Sequence, residues 1–597
     1  MIKNSLAAER RNHVVIAVIV ALLAAAVSIG CVVLSPHGDK AFGYSLRVDR
    51  WTALWVYAGV LAVMVIGLLL PRFPHRLRFV TVSLGFIVIG LWLMEYSYGS
   101  NSYVVYHSLI RHYRDPSFLA HDWYTNVSGS YNAYYFFARA MALIPPGLLP
   151  AAFFFVWLAG LVGTGWVFML LARSVLSPRG LADLCGWLAY VGAVLSYRGD
   201  RYGMFALGDN DLLYPFLNPQ TVALVLGLLG LCGLLRGRAL MAGILVGLGL
   251  DLHINTGQHL IILIVALAVF SPLVPARKAL IALVAVFVVG GPQIVLGVMD
   301  QLKAAAVPAS EEALSFIQVS GQVRHSHHLL PSTWPARHAI EFATLIVLAA
   351  IGLGVKPKRN AFDHAHVVVT VTGLAACLLG WVFVEIVPVD LIAKSQFFRM
   401  TVIIKTIGLV YVAYLIVRVI RWVFVDGLGI HIEAHCKRAS RIWTALFLLF
   451  ALLAAPLFFK QTQIVENPTS KLEHWVMANT PDDAVFAVPF KRFKGFPVRV
   501  GRAVVADYKR FPFQSRDYVE WFRRVSDLTG VEHPTEFARV QDTTQNILNK
   551  GYHGLTIDDF RDLKRQYGVT HVIRHKRYPV RDLRRVYRGV QYFIYEP

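Results

Sequence analysis

Runs of roughly 18–22 apolar residues recur along this chain, the length a helix needs to cross a hydrocarbon core about 30 Å thick. Helices satisfy their own backbone hydrogen bonds, and the runs lack the strict alternation of a membrane barrel. The first run spans Val14 to Leu34 and the last Ile442 to Phe459. Basic residues punctuate the turns between them. Lys3, Arg10 and Arg11 precede the first run, and Arg72, Arg76 and Arg78 follow the second. Later clusters are Arg173 with Arg179, Arg236 with Arg238, Arg277 with Lys278, and Lys356, Lys358 and Arg359. Arg418, Arg421, Lys437, Arg438 and Arg441 form the last. Placing every cluster in the cytoplasm gives about thirteen spans, with the N-terminus inside and the C-terminus outside. Ala239 to Leu250 and Gln258 to Phe270 are short enough to form a re-entrant pair instead.

A formal charge of +22 would suggest nucleic acid in a soluble chain, but much of the excess sits in these turns, so no nucleic-acid partner is expected. Five cysteines are present, four of them (Cys31, Cys185, Cys232, Cys377) in apolar runs, and with Cys436 they build no disulfide framework or C-x-x-C metal site.

The charge pattern leaves four polar, aromatic-rich loops facing outward: Glu95 to Tyr135, Arg198 to Gln220, Asp300 to Trp334 and Lys394 to Met400. After residue 459 no run is long enough to span a membrane. AVFAVPF, GRAVVADY, VTHVI and QYFIYEP read as strands, and SRDYVEWFRRVSDL and IDDFRDLKRQY as helices. The fold expected is therefore an all-α polytopic membrane protein over residues 1–459, followed by a small α/β domain over 460–597. That domain carries 24 Lys and Arg against 16 Asp and Glu, a balance suited to an anionic glycan or lipid-linked acceptor.

Candidate chemistry concentrates in the loops. Asp122, in AHDWY, is a carboxylate beside Trp123 and Tyr124; partial desolvation would make it a general base toward a hydroxyl. Asp115, seven residues earlier in RDPSF, is a second choice that also reads as a helix start. In QVRHSHHLLPSTW, Arg324, His325, His327 and His328 could hold a metal or, with no carboxylate at ligand spacing, anchor a phosphate. Arg399 opens a span in SQFFRM, with Lys394 before it and Glu385 as a candidate ion-pair partner; its guanidinium matches oxyanions bidentately. Lys405 lies about 240° around the helix from Arg399, so the two do not share a face. Asp209 and Asp211 form a D-x-D that reads as a turn or as a divalent-cation (Mg or Mn) site beside phosphate oxygens. Asp251 and His253 interrupt an apolar run and are expected to face an aqueous cavity.

These residues carry a resemblance. The layout resembles the GT-C class of membrane glycosyltransferases, with its many spans, its acidic outer loop and its outer C-terminal domain. YRDPSFLAHDWY is similar to the D-P-x-L/F-x-x-x-D-W/Y motif of a group of bacterial polytopic membrane proteins. WVMANTPDDAVFAVPF, FPVRVGRAVVADYKRFPF and YVEWFRRV are similar to that group's C-terminal signature, and RHSHHLLPSTW and FFRMT also fit.

The resemblance implies a protein of the inner (plasma) membrane that inverts the anomeric centre of a polyprenyl-phosphate sugar donor. An extracytoplasmic glycan or glycolipid would be the acceptor. The base role falls on Asp122, then Asp115. Two extra spans before the acidic loop leave Asp39 and Asp49 as alternatives. Arg399, Arg324 and the histidines would neutralise the phosphate leaving group. Two rival readings share the spans and the cationic loops. A lipid-linked glycan transporter or flippase needs no base, and a polysaccharide polymerase relies on Arg and His rather than Asp.

Overall fold

The computed structural model describes residues 103–177, 179–197, 205–306, 314–422, 470–490, 493–512, 517–536 and 541–597, with parts of 82–99. The expected spans at 14–34 and 442–459, together with Asp39, Asp49, Cys31 and Cys436, lie outside these residues.

Up to residue 422 the chain is helical. Four helices are long and apolar enough to cross a membrane: Pro146–Val175, Ala336–Gly354, Ala361–Ile386 and Asp390–Val419. A fifth candidate is the pair Ala276–Val289 and Gly291–Lys303, bent by 68°. Four further apolar helices, Gly180–Leu195, Pro219–Leu235, Ala239–Leu252 and Ile254–Phe270, have 10–17 residues. Described helices of spanning length are fewer than the apolar runs suggest: some expected spans lie outside the described residues, and several apolar helices are only 10–17 residues long. At one break His253 adopts an extended backbone (φ −158°, ψ 101°) and its Nδ1 accepts from Thr256 N, capping the helix that follows. The two short stretches flanking it form separate helices.

Packing is close where glycines remove side chains, as in lipid-embedded bundles, whose helix contacts favour small residues. A Cβ at Gly243 would sit 2.2 Å from the Ala282 carbonyl oxygen, and one at Gly352 would sit 2.3 Å from that of Tyr411.

The C-terminal part forms a five-stranded sheet in the order β2-β1-β3-β5-β4. The strands are β1 Val485–Ala487, β2 Ala503–Val504, β3 Val569–His575, β4 Arg584–Arg588 and β5 Tyr592–Glu596. β1 runs parallel to β2 and β3, whereas β5 is antiparallel to β3 and β4. All four sequence-read strands lie in this sheet, and the two sequence-read helices form as Asp517–Thr529 and Ile557–Tyr567. The second of these starts in a Thr556–Asp559 capping box and stops at Gly568 in the left-handed region.

One core crosses between the helical part and this domain. Phe316, Val319, Val323 and Leu330, from the segment between the bent pair and Ala336–Gly354, pack in one buried cluster with Val505, Phe511, Trp521 and Val525. The domain therefore grips this loop, and that contact positions the site.

Candidate functional site

Asp122 sits at the seam between the two parts. Its side chain caps the Trp123–Ser130 helix, accepting from Thr125 N at 3.0 Å and Thr125 Oγ1 at 2.7 Å. From the domain, Arg510 reaches it bidentately, with Nη1 at 2.6 Å from Oδ2 and Nη2 at 2.9 Å from Oδ1. Val504 N adds a donor at 3.4 Å. Both side chains of the pair are 0% exposed. Burial works to raise the Asp122 pKa, but the Arg510 charge and the surrounding donors outweigh it and hold the carboxyl below its ordinary range. This corrects the expectation of a desolvated base with a raised pKa. Five donors from Thr125, Arg510 and Val504 thus surround the buried carboxylate. Asp115, by contrast, is exposed, and it accepts from Ser117 N and Oγ in a local turn.

The loop gripped by the domain carries the second feature. Ile317–Arg324 winds as a π-helix, a rare form that is frequent at functional sites. Asp390 ties down its start, accepting from Phe316 N at 2.7 Å and Ile317 N at 3.1 Å. Near its end Tyr508 of the domain donates to Val323 O at 3.0 Å. Arg324 then lies with its guanidinium 4.9 Å from the centre of the Tyr508 ring, and its buried Nε has no hydrogen-bond partner. His325, His327 and His328 follow directly. The His327 and His328 rings are 4.0 Å apart, and those of His325 and His328 are 6.2 Å apart.

His328 Nδ1 donates to Gly208 O at 2.5 Å, which leaves Nε2 of the neutral ring as an acceptor. His327 Nδ1 has no partner. Burial first, then His328 and the cations Arg324, Lys509 and Arg399, hold His327 well below the usual imidazole range. His328 is pushed down to about 3 by burial and Arg399, against the Gly208 bond, which works upward. Both rings are therefore neutral near pH 7.

Arg399 approaches from the helical side, in the 3-10 turn Phe397–Arg399 that starts Met400–Arg421. Its Nε and Nη1 donate to the amide oxygens of Gln396 and Gln220. Gln396 holds a left-handed backbone (φ 50°), sparsely populated for a residue with a Cβ and frequent at functional sites. Among the described residues no carboxylate lies within ion-pair distance of Arg399 or Arg324. Tyr134 lies near both. From the domain, Lys509 joins the group; burial first, then Arg324 and Lys494, lower its pKa to about 7 against the pull of Asp507.

The other expected residues have separate neighbours. Glu385 is not the partner of Arg399; it accepts from Ser332 N at 2.8 Å and Trp381 Nε1 at 3.1 Å. Lys394 donates to Gln301 Oε1 at 3.3 Å and faces Phe316 and Tyr518. The D-x-D does not act as a pair. Asp211 is locked to Lys405 at 2.9 Å with both side chains 0% exposed, whereas Asp209 sits in a left-handed turn 3.9 Å from His338. Lys405 and Arg399 thus point to different partners, as their angular separation predicts. Among the described residues no group of three His, Cys, Asp or Glu is arranged to hold a metal ion. His253 feels the Arg399 charge and stands 6.0 Å from Tyr134, ring to ring, so it borders the cluster. Asp251 has a buried Oδ1 without a partner.

Sequence reasoning missed Lys509, Arg510, Tyr508, Tyr134, Gln220 and Gln396. The signal for the first three is the run DYKR directly after a strand, where a basic pair at a sheet edge faces the helical part. Gln220 and Gln396 carry no local signal, being ordinary amides until an arginine is brought to them.

Residues 468–528 match a family described as a domain of unknown function, DUF6798. The matched segment contains β1, β2, Lys509 and Arg510, and so includes the domain residues that meet Asp122. No curated protein matches the chain.

Proposed function

We propose that this protein is a GT-C-like membrane glycosyltransferase that takes its sugar from a lipid-linked phosphate donor, bound at the Arg324–Arg399–histidine cluster. The observation that carries the reading is Arg324 and Arg399, with no carboxylate within ion-pair distance of either among the described residues, beside two neutral histidines. An arginine stays charged in any protein environment, so two such groups call for an anion. In this reading the thirteen-span topology applies, the cluster opens outward at the plasma membrane, and the acceptor is an extracytoplasmic glycan or glycolipid.

In the reaction the acceptor hydroxyl oxygen forms a bond to C1 of the sugar while the C1–O bond to phosphate breaks. The electron pair leaves with the phosphate, whose charge Arg399 and Arg324 stabilise. The hydroxyl proton passes to His327, and Asp122 has no chemical step. His327 is a weak base first because it is buried and then because His328 and cations surround it. A bound phosphate offsets those cations and raises its basicity, so proton transfer becomes competent once the donor is in place.

A second reading, a polymerase joining two lipid-linked glycans, draws on the same dominance of Arg and His. Membranes supplied with radiolabelled lipid-linked sugars distinguish the possibilities. Transfer by wild type that falls at least about 100-fold in Arg399→Gln, at equal protein level, supports the reading, since losing one transition-state donor costs this much. Products extended by many units point to the polymerase. Translocation of lipid-linked glycan without transfer overturns both.

A further inference from the structure

Away from the arginine–histidine cluster, two apolar helices start side by side. Ala239–Leu252 packs on Ala276–Val289 through glycines. A Cβ at Gly243 would sit 2.2 Å from Ala282 O, and one at Gly247 would sit 2.8 Å from Val289 Cβ. Both contacts advance in the same chain direction, so the helices run parallel and begin at one end of the bundle. An open cleft of about 490 Å³ lies at that end, lined by Gly237, Arg238, Leu240, Arg277, Lys278 and Ile281 among others.

Three of the lining residues are cations, and none is a carboxylate. Arg236, just before them, spends its guanidinium on the carbonyls of Cys232 and Leu170. The side chains of Arg238, Arg277 and Lys278, by contrast, make no hydrogen bond or ion pair among the described residues. The turn between helices draws the charges together. Gly237 holds a left-handed backbone (φ 82°), and a Cβ there would lie 3.0 Å from Lys278 Nζ, so the ammonium rests against a bare turn. Beyond the cations the open surface is apolar. Leu240, Ile244 and Leu248 recur every fourth residue along one helix, and Ile281, Val284 and Val288 follow a matching stripe along the other, all of them exposed. Leu240 and Ile281 belong both to the cleft and to these stripes.

We propose that this face binds an anionic phospholipid, its phosphate among Arg238, Arg277 and Lys278 and its acyl chains along the two stripes. Charge and apolarity together select this occupant. A free phosphate would use the cations and leave the stripes bare, and a neutral lipid would do the reverse. A second copy related by a two-fold axis along the helices would set three cations against three, a like-charge contact that costs free energy. The two guanidinium groups also match phosphate oxygens bidentately. The inference stands apart from the transferase reading and uses none of its residues.

The test exposes the full chain, in non-ionic detergent, to an equimolar mixture of dioleoyl phosphatidylglycerol and dioleoyl phosphatidylcholine. Native mass spectrometry counts the bound lipids. Wild type is expected to retain phosphatidylglycerol at least about tenfold over phosphatidylcholine, since each basic residue near a lipid surface adds to the affinity for anionic headgroups. Arg238→Gln/Arg277→Gln/Lys278→Gln is expected to bring the ratio within about twofold of unity, and Arg277→Gln alone to lower it about threefold. Removing equal charge from exposed positions of the C-terminal domain, in Arg577→Gln/Arg581→Gln/Arg585→Gln, is expected to leave the preference intact. Circular dichroism and gel filtration establish that each variant is folded. No preference in wild type, a preference that survives the cleft variants, or one lost equally in the domain variant overturns the assignment. Displacement of the lipid by soluble glycerol phosphate would make the cleft a site for free phosphate, and ready disulfide linkage between two copies of Leu248→Cys would give the face to a second copy. Either result overturns it as well.

Discussion

Two buried charged regions lie within one neighbourhood of this protein, and they differ in kind. Asp122 and Arg510 form a bidentate pair with both side chains at 0% exposure and further donors on the carboxylate. Arg399 meets only amide oxygens, and Arg324 meets an aromatic face with its Nε unpartnered. The first region is paired and closed; in the second no carboxylate lies within ion-pair distance of Arg399 or Arg324 among the described residues, and it is partly open. A buried charge must find its counter-charge inside the protein or in a ligand. The contrast separates a latch from the proposed binding site, although both are built from the residue types that catalysis uses.

The largest expected effect comes from breaking the latch. Asp122→Ala leaves Arg510 buried without its main partner, and removing one member of a buried pair costs about 3–5 kcal/mol. Thermal unfolding in detergent is expected to show a large loss for Asp122→Ala and for Arg510→Ala. Equal stability of Asp122→Ala and wild type would remove the distinction between the two regions. Arg399→Gln is expected to behave in the opposite way: removing an uncompensated buried cation leaves the unfolding temperature of the empty protein unchanged or higher, while phosphate binding is lost. A marked fall in its unfolding temperature would make Arg399 a structural residue.

A smaller effect concerns pH. Burial, then the Arg324 and Lys494 charges, lowers the Lys509 pKa to about 7, and a phosphate diester does not titrate in this range. The anion favours the protonated amine, so affinity is expected to fall severalfold between pH 6 and pH 8.5. Linkage in the empty protein has the other sign. Above about pH 7 the unfolded chain binds a proton that folded Lys509 has lost, so this group adds stability as pH rises toward its unfolded value. In Lys509→Arg the dependence of affinity on pH should flatten; an unchanged slope would move its origin elsewhere. The smallest effect is expected for Glu385→Gln. With Glu385 bound to Ser332 N and Trp381 rather than Arg399, donor binding should stay within about twofold of wild type.

Local pattern carried much of this architecture. Strand alternation located β1, β2, β3 and β5, and helical periodicity located Asp517–Thr529 and Ile557–Tyr567. β4 was not legible, because Arg584, Arg585 and Arg588 hide its two core contacts in a charged run. Arg399, Arg324 and the histidines stood out by residue type, and the structure brings the histidines within reach of both arginine charges. Pairing across long distances was not legible. Arg510 lies 388 residues from Asp122, and nothing near AHDWY announces that its carboxylate is taken. The same blindness assigned Glu385 to Arg399 by proximity in sequence. Residue type tells what a group can do, and its partners decide what it does.

The most direct measurement is glycosyl transfer by the double variant Asp122→Leu/Arg510→Met, which replaces the latch with apolar side chains of similar volume. Such replacement of a buried pair is often neutral for stability, so the variant is expected to fold. With Asp122 as latch and the cationic cluster as site, transfer at equal protein level should stay within about threefold of wild type. A folded double variant that has lost transfer, beside an Arg399→Gln variant that keeps it, would return the base to Asp122 and contradict this account.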